Sequence, residues 1–192
     1  MERDLGGVEA EVHVATEAVL DFWFEELTPE QRFAKDAAMD RAIAERFGRL
    51  RDRVLRSGAA GWRDKPATLL AAIVLLDQFS RNIHRGSGEA FAADGLAQEL
   101  TLLAIERGWD RDLPAEGRVF LYMPLMHAES RELQAKSVAL FGALGLDEQI
   151  HYAREHAEVI ERFGRFPSRN AALGRESTEE ERAYLSQPGA GW

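Results

Sequence analysis

Residues 66–79 read "PATLLAAIVLLDQF", and from Leu69 to Leu76 every position is apolar. A helix at a protein surface keeps one apolar stripe, whereas a helix that is apolar all round is enclosed by other helices. The run "ATLLAAIVLL", residues 67–76, is too short to span a bilayer, which takes about 20 such residues. The stretch therefore predicts a buried helix over about Pro66 to Phe79, at the centre of a helical fold.

The flanking sequence supplies helices to surround it. Upstream, "EAVLDFWFEEL" puts Val19, Phe22, Trp23 and Leu27 on one apolar face. "TPEQ" at 28–31 is a helix start: a Thr oxygen to accept a backbone N–H, Pro at the first helical position, and Gln able to reach back. A helix follows through "DAAMDRAIAERFGRLRDRVL", with Met39, Ile43, Phe47, Leu50 and Leu55 at helical spacing. "RSGAAGWRDKP" is a turn region closed by Pro66.

Downstream, "RGSGEAF" breaks the chain and "AFAADGLAQELTLLAIERG" restarts it as a helix ended by Gly108. "AEGRVFLYMPLMHAESRELQAKSVALFGALG" predicts a helix bent at Pro124, where proline removes a hydrogen bond, and divided near His127. "LDEQIHYAREHAEVIERFG" sets Ile150, Ala153, Ala157, Ile160 and Phe163 on one side, with Gly164 as C-cap. "STEEERAYL" offers a capping box of Ser177 with Glu180. No stretch alternates apolar and polar residues over strand length. The expected fold is all-α, antiparallel helical pairs in a compact bundle or solenoid, as one domain over 1–192 with residues 1–15 loosely ordered.

The composition, 45% apolar and 30% charged over 192 residues, is that of an ordinary globular protein. A net charge of -9 argues against sequence-independent nucleic-acid binding, which needs a cationic surface to displace counterions from phosphates. With no cysteine, the chain has no disulfide, thiolate metal site or thiol nucleophile. The acidic start "MERDLGGVEAEVHVATEAVL" does not read as a signal peptide, so a cytoplasmic location is expected, with no membrane partner. Glu148 and His151 have a Glu-x-x-His spacing without the second such motif a di-iron bundle needs, and His151 and His156 do not share a helix face. P-loop, nucleophile-elbow and dinucleotide fingerprints are missing, so neither a metal nor a cofactor is expected.

Three places can carry chemistry. Asp77 follows an apolar run and begins partly buried, so it needs a partner. Arg81, one turn on, can supply it; alternatively Arg81, Asn82, His84 and Arg85 present donors to an anionic ligand. His127 and Glu129 arrive just after the Pro124 bend, either as a satisfied core histidine or as an acid/base pair in which Glu129 orients His127 or an arginine. Finally, "RFGRFPSRNAALGREST", residues 162–178, is a cationic island with Arg162, Arg165, Arg169 and Arg175 beside Asn170. Planar guanidinium forks suit phosphate or carboxylate; equally, these arginines can fold back on Asp77, Glu129, Glu158 or Glu161 and staple the chain end to the bundle. Its Phe-Pro-Ser-Arg-Asn (166–170) echoes the Phe-Ser-Arg-Asn of residues 79–82.

In order along the chain, "VLDFWF", "LLDQFSRNIHRG", "FAAD", "FLYMPLMHAES", "HAEVIERFGRFPSRNAALGREST" and "EEERAYL" together resemble a bacterial family, domain of unknown function 924, from about Val19 to Leu185. The resemblance implies an all-helical fold similar to tetratricopeptide-repeat proteins and no particular activity. It also implies proline where this chain has Ser80 and histidine where it has Ser168. The repeat consensus itself is not visible, so the likeness is architectural, and architecture alone does not license peptide binding.

The leading expectation is a polar pocket gathering Asp77, Arg81, Asn82, Arg85, His127, Glu129, Arg165, Arg169 and Asn170 around a small anionic ligand or a peptide's carboxylates. The alternatives are a hydrolase of anionic substrates using His127 and Glu129, and an interaction scaffold whose arginine network is structural.

Overall fold

The computed structural model describes residues 5–191. The predicted central helix is present: α4 (Pro66–Ile73), α5 (Ser80–Ile83) and, between them, a π-helical turn over Val74–Phe79. Every residue from Thr68 to Ser80 is buried. Its neighbours are α1 (Leu5–Leu20), α3 (Ala37–Arg56), α6 (Asp94–Glu106) and α7 (Ala115–Met126). Beyond them, α7 packs on α8 (Arg131–Leu144) and α8 on α9 (Asp147–Phe163), consecutive helices joined by short links and hence antiparallel. A short α2 (Pro29–Phe33) precedes α3, and α10 (Glu179–Leu185) follows α9. Among the described residues there is no strand, and the fold is an all-α helical bundle.

Aromatic packing anchors α1 and α3 to the centre. The Phe79 ring lies 5.0 Å from Phe47, 5.4 Å from Trp23 and 5.9 Å from Phe22, all four side chains being buried. Phe22 and Trp23 sit in a second π-helical turn, Asp21–Glu26, which extends α1. The backbone carbonyls at its end are capped by buried Arg32, which donates to Trp23 O (2.6 Å), Phe24 O (3.0 Å) and Leu27 O (3.2 Å) and pairs with Glu116.

The start and stop signals mostly act where they were read. Thr28 and Gln31 form the capping box of α2. The chain then leaves the helix at Ala34–Asp36, because the Asp36 carboxylate accepts from the N–H groups of Ala38 and Met39 and starts α3 anew. Gly108 and Gly164 end α6 and α9 in left-handed conformations. Pro124 is accommodated inside α7, which stops at His127 where buried Gln134 donates to the carbonyls of Met126 and Ala128. The C-terminal capping box is one residue later than predicted: Thr178 pairs with Glu181, not Ser177 with Glu180. Both boxes exist in "STEEE"; the one that forms uses the glutamate that also reaches Arg165. Of residues 1–15, expected to be loose, 1–4 lie outside the described residues and α1 begins at Leu5. Among the described residues no helix is long and apolar enough to cross a membrane.

Candidate functional site

The π-helical turn at Val74–Phe79 keeps Asp77 inside the bundle, fully buried. Such turns are rare insertions in helices and recur at functional sites. A carboxylate there must be compensated, and it is: Arg81, one turn on, lies 3.1 Å away, the Gln78 amide donates to it, and Nδ1 of His127 lies 2.8 and 3.0 Å from its two oxygens. Burial alone would raise the pKa of Asp77, but Arg81 and His127 outweigh it and hold the carboxyl below its usual range. An ionised carboxylate only accepts, so His127 carries its proton on Nδ1 and leaves a lone pair on Nε2. Burial lowers the pKa of His127 against the pull of Asp77, with Arg81 adding to the lowering, so the ring is held neutral.

A second carboxylate opens α6. Asp94 receives the Arg81 fork at 3.0 and 3.1 Å, and Nη1 of Arg169 at 3.1 Å. Arg169 belongs to the turn Pro167–Arg169 and also donates to the His127 carbonyl at 2.9 Å. Its guanidinium lies between two phenyl faces, 4.6 Å from Phe91 and 4.5 Å from Phe166. Burial, and then the neighbouring Arg81, lower its pKa to about 10. His156, from α9, is buried beside this group; its Nδ1 lies 2.8 Å from the Tyr152 carbonyl, and its ring is 6.1 Å from that of His127.

Above the cluster lies a cavity of about 310 Å³. Lys35, Arg81, Arg85, His127, His156 and Arg169 supply its charged and titratable lining, Phe91, Phe166 and Ala90 its apolar wall, and Ser168 and Gly86 the remainder. Among the described residues no carboxylate lines it. Asp40 backs Arg85 in the same way that Asp94 backs Arg81, through two bonds of 2.6 and 2.8 Å.

The expected site residues thus divide. Asp77, Arg81, Arg85, His127 and Arg169 come together, Asp77 beneath the pocket and the others in its lining. Asn82 turns away and donates to Asp40. Glu129 does not meet His127: it holds Arg175 at 2.7 and 2.9 Å and accepts from the Phe166 N–H, and Arg175 helps keep it ionised despite burial. Arg165 binds Glu181 through two bonds, and Asn170 donates to Glu181 and Ser177. Glu129, Arg165, Asn170 and Arg175 tie the chain end to the bundle, the acids being Glu129 and Glu181 rather than Asp77, Glu158 or Glu161. Sequence reading passed over Lys35, Asp94, Phe91, His156 and Phe166 as site residues; "FAAD" contains two of them, but nothing local marks Asp94 as the shared partner of two arginines. His84 is not part of the lining. Among the described residues no group of three or more His, Asp or Glu is placed to hold a metal ion.

An all-helical bundle with a cation-lined pocket over a buried Asp-Arg-His cluster is the class of protein described. The chain belongs to the family described as "Bacterial protein of unknown function (DUF924)", whose model matches residues 19–189. It is also similar to a solved structure, a protein of unknown function, ATU0120, from Agrobacterium tumefaciens: 37% identity, TM-score 0.82, covering 95% of this chain and 99% of that one. No curated protein matches the chain.

Proposed function

We propose that this protein binds a small anionic ligand in the pocket above Asp77 and Asp94. The observation that carries the reading is the lining itself: four cationic side chains, Lys35, Arg81, Arg85 and Arg169, and, among the described residues, no carboxylate, on a chain of net charge -9. The acids that balance the arginines stand behind them, so the arginines are positioned without being neutralised toward the cavity. Each guanidinium has five N–H groups, so its bonds to Asp40 or Asp94 do not exhaust its donors. Near 310 Å³, the cavity is at the lower end of the range for small-molecule sites, about 300–1,000 Å³. That size favours a free small anion over an extended peptide.

The test is thermal unfolding with phosphates, nucleotides and dicarboxylates at constant ionic strength. A ligand that binds only the folded state must stabilise it, by about 2.7 kcal/mol at a hundredfold excess over Kd. The expected result is a saturable rise in Tm for at least one of these anions, weakened by Arg85→Ala at the pocket rim. A melting point indifferent to all of them overturns the reading.

A further inference from the structure

The pocket is a wall of donors with an acceptor set into it. Lys35, Arg81, Arg85 and Arg169 can only donate, whereas Nε2 of His127 offers a lone pair, because the ring proton sits on Nδ1 and is donated in a hydrogen bond to Asp77. That acceptor is held in place on several sides. Asp77 is itself fixed by Arg81 and Gln78, the His127 N–H donates to Met123 O at 3.0 Å, and the His127 carbonyl receives Arg169 at 2.9 Å. Nε2 makes no hydrogen bond among the described residues and is not shut away as a buried orphan. Burial and Arg81 disfavour the charged ring, so the acceptor does not readily become a donor. An anion made only of acceptor oxygens would set a lone pair against this lone pair. An anion with its own O–H satisfies both the cations and the imidazole.

We propose that the pocket selects anions that carry an O–H donor, such as hydroxycarboxylates and protonated phosphates, with the charge held by Arg81, Arg169 and Lys35 and the O–H donated to Nε2 of His127. The inference rests on the anion-binding reading and adds the ligand's chemical class. One well-formed hydrogen bond against an unmet acceptor corresponds to about a tenfold difference in affinity.

Matched pairs test it by titration calorimetry: malate against succinate, and phosphate, which retains a proton near neutral pH, against sulfate, which does not. Wild type is expected to prefer malate and phosphate by about tenfold. His127→Asn is the discriminating variant, since an Asn amide nitrogen stands where Nδ1 stood and can keep the bond to Asp77 while Nε2 is removed. It should lose the preference, binding malate no better than succinate and phosphate no better than sulfate. Equal wild-type affinities within the pairs, or a preference that survives in His127→Asn, overturn the inference and leave the anion reading intact. If His127→Asn does not fold, the wild-type pairs decide alone. Should sulfate bind and no O–H-bearing partner bind better, this inference alone fails. If none of the four binds and no other anion raises Tm, both fall.

Discussion

Arg81 and Arg169 share one carboxylate: both donate to Asp94, at 3.0 to 3.1 Å. They are the arginines of the two Arg-Asn pairs in the sequence, Arg81-Asn82 and Arg169-Asn170. In each pair the arginine reaches the pocket and the asparagine reaches a nearby acid, Asp40 for Asn82 and Glu181 for Asn170. The echo is therefore a paired construction in which two chain segments leaving helices converge on the N-terminus of α6, where a carboxylate is also favoured by the helix dipole.

The sharing makes the two sides unequal. Asp94→Ala leaves two guanidiniums facing each other, with Asp77 as the remaining acid, and is expected to cost about 3–5 kcal/mol. Arg169→Ala leaves Arg81, Asp77 and Asp94 paired and should cost clearly less. Urea unfolding of both variants checks the order; an Arg169→Ala loss as large as that of Asp94→Ala would contradict it.

His156 gives the fold a pH dependence with a definite sign. Burial, and then the nearby His127, lower its pKa to about 3, against an ordinary value near 6.5. Because the folded value is the lower, the unfolded chain binds the additional proton between those limits. Stability from this group is complete above about pH 6.5 and is lost as pH falls toward 3. His127 shifts in the same direction. From pH 7 to 4, His156 alone accounts for roughly 3 kcal/mol. His156→Asn, which can keep a donor near the Tyr152 carbonyl, should flatten the slope of unfolding free energy between pH 4.5 and 6.5. An unchanged slope would show that other groups set it.

How far the sequence disclosed this arrangement depends on the range of the interaction. Local signals were legible: the all-apolar run, the Thr28–Gln31 box, the Gly108 and Gly164 stops and the helix end at His127 are each set within a few residues. Charge partners were not, since Asp94 with Arg169 and Glu181 with Arg165 meet only through packing of distant segments. The π-helical turn at Asp77 was hidden because an apolar run looks the same with or without the inserted residue. The spacing of His151 and His156 puts the two on different faces of a helix. That separation is what the helix shows: His156 faces inward and is buried, while His151 is exposed.

Glu181 is the anchor of the chain end. It is buried, accepts two bonds from Arg165 at 2.7 and 2.8 Å and one from Asn170, and closes the capping box of α10 with the Thr178 N–H. These partners hold its carboxyl well below the usual range, the Arg165 hydrogen bonds foremost. Glu181→Ala is expected to cost about 1–3 kcal/mol, because Arg165 is partly exposed and can turn to water. The loss should be local. Hydrogen exchange should quicken through Glu179–Leu185 and proteolysis should open 171–178, while α4 and α7 keep their protection. Undiminished protection at α10 would show that Tyr184, packed on Phe163, suffices to hold it.

Lys35 separates binding from folding. It sits in the break between α2 and α3, is exposed, lines the pocket and makes no ion pair among the described residues, unlike Arg81, Arg85 and Arg169, which each have an acid to hold. Removing it exposes no buried charge and opens no cavity in the core, so Lys35→Ala should leave unfolding free energy within about 0.5 kcal/mol of wild type. The same change removes a charge from the lining of the cavity, so sulfate and phosphate affinity should fall several-fold, roughly 0.5–1 kcal/mol, at low ionic strength. The deficit should shrink as salt rises and the Debye length contracts from about 10 Å at 0.1 M to 3 Å at 1 M. Arg169→Ala, by contrast, should lower stability and affinity together, since its guanidinium serves Asp94 and the cavity at once. Calorimetric titrations of both variants at two salt concentrations, set beside their urea midpoints, read the difference. A Lys35→Ala protein with unaltered anion affinity would remove Lys35 from the site.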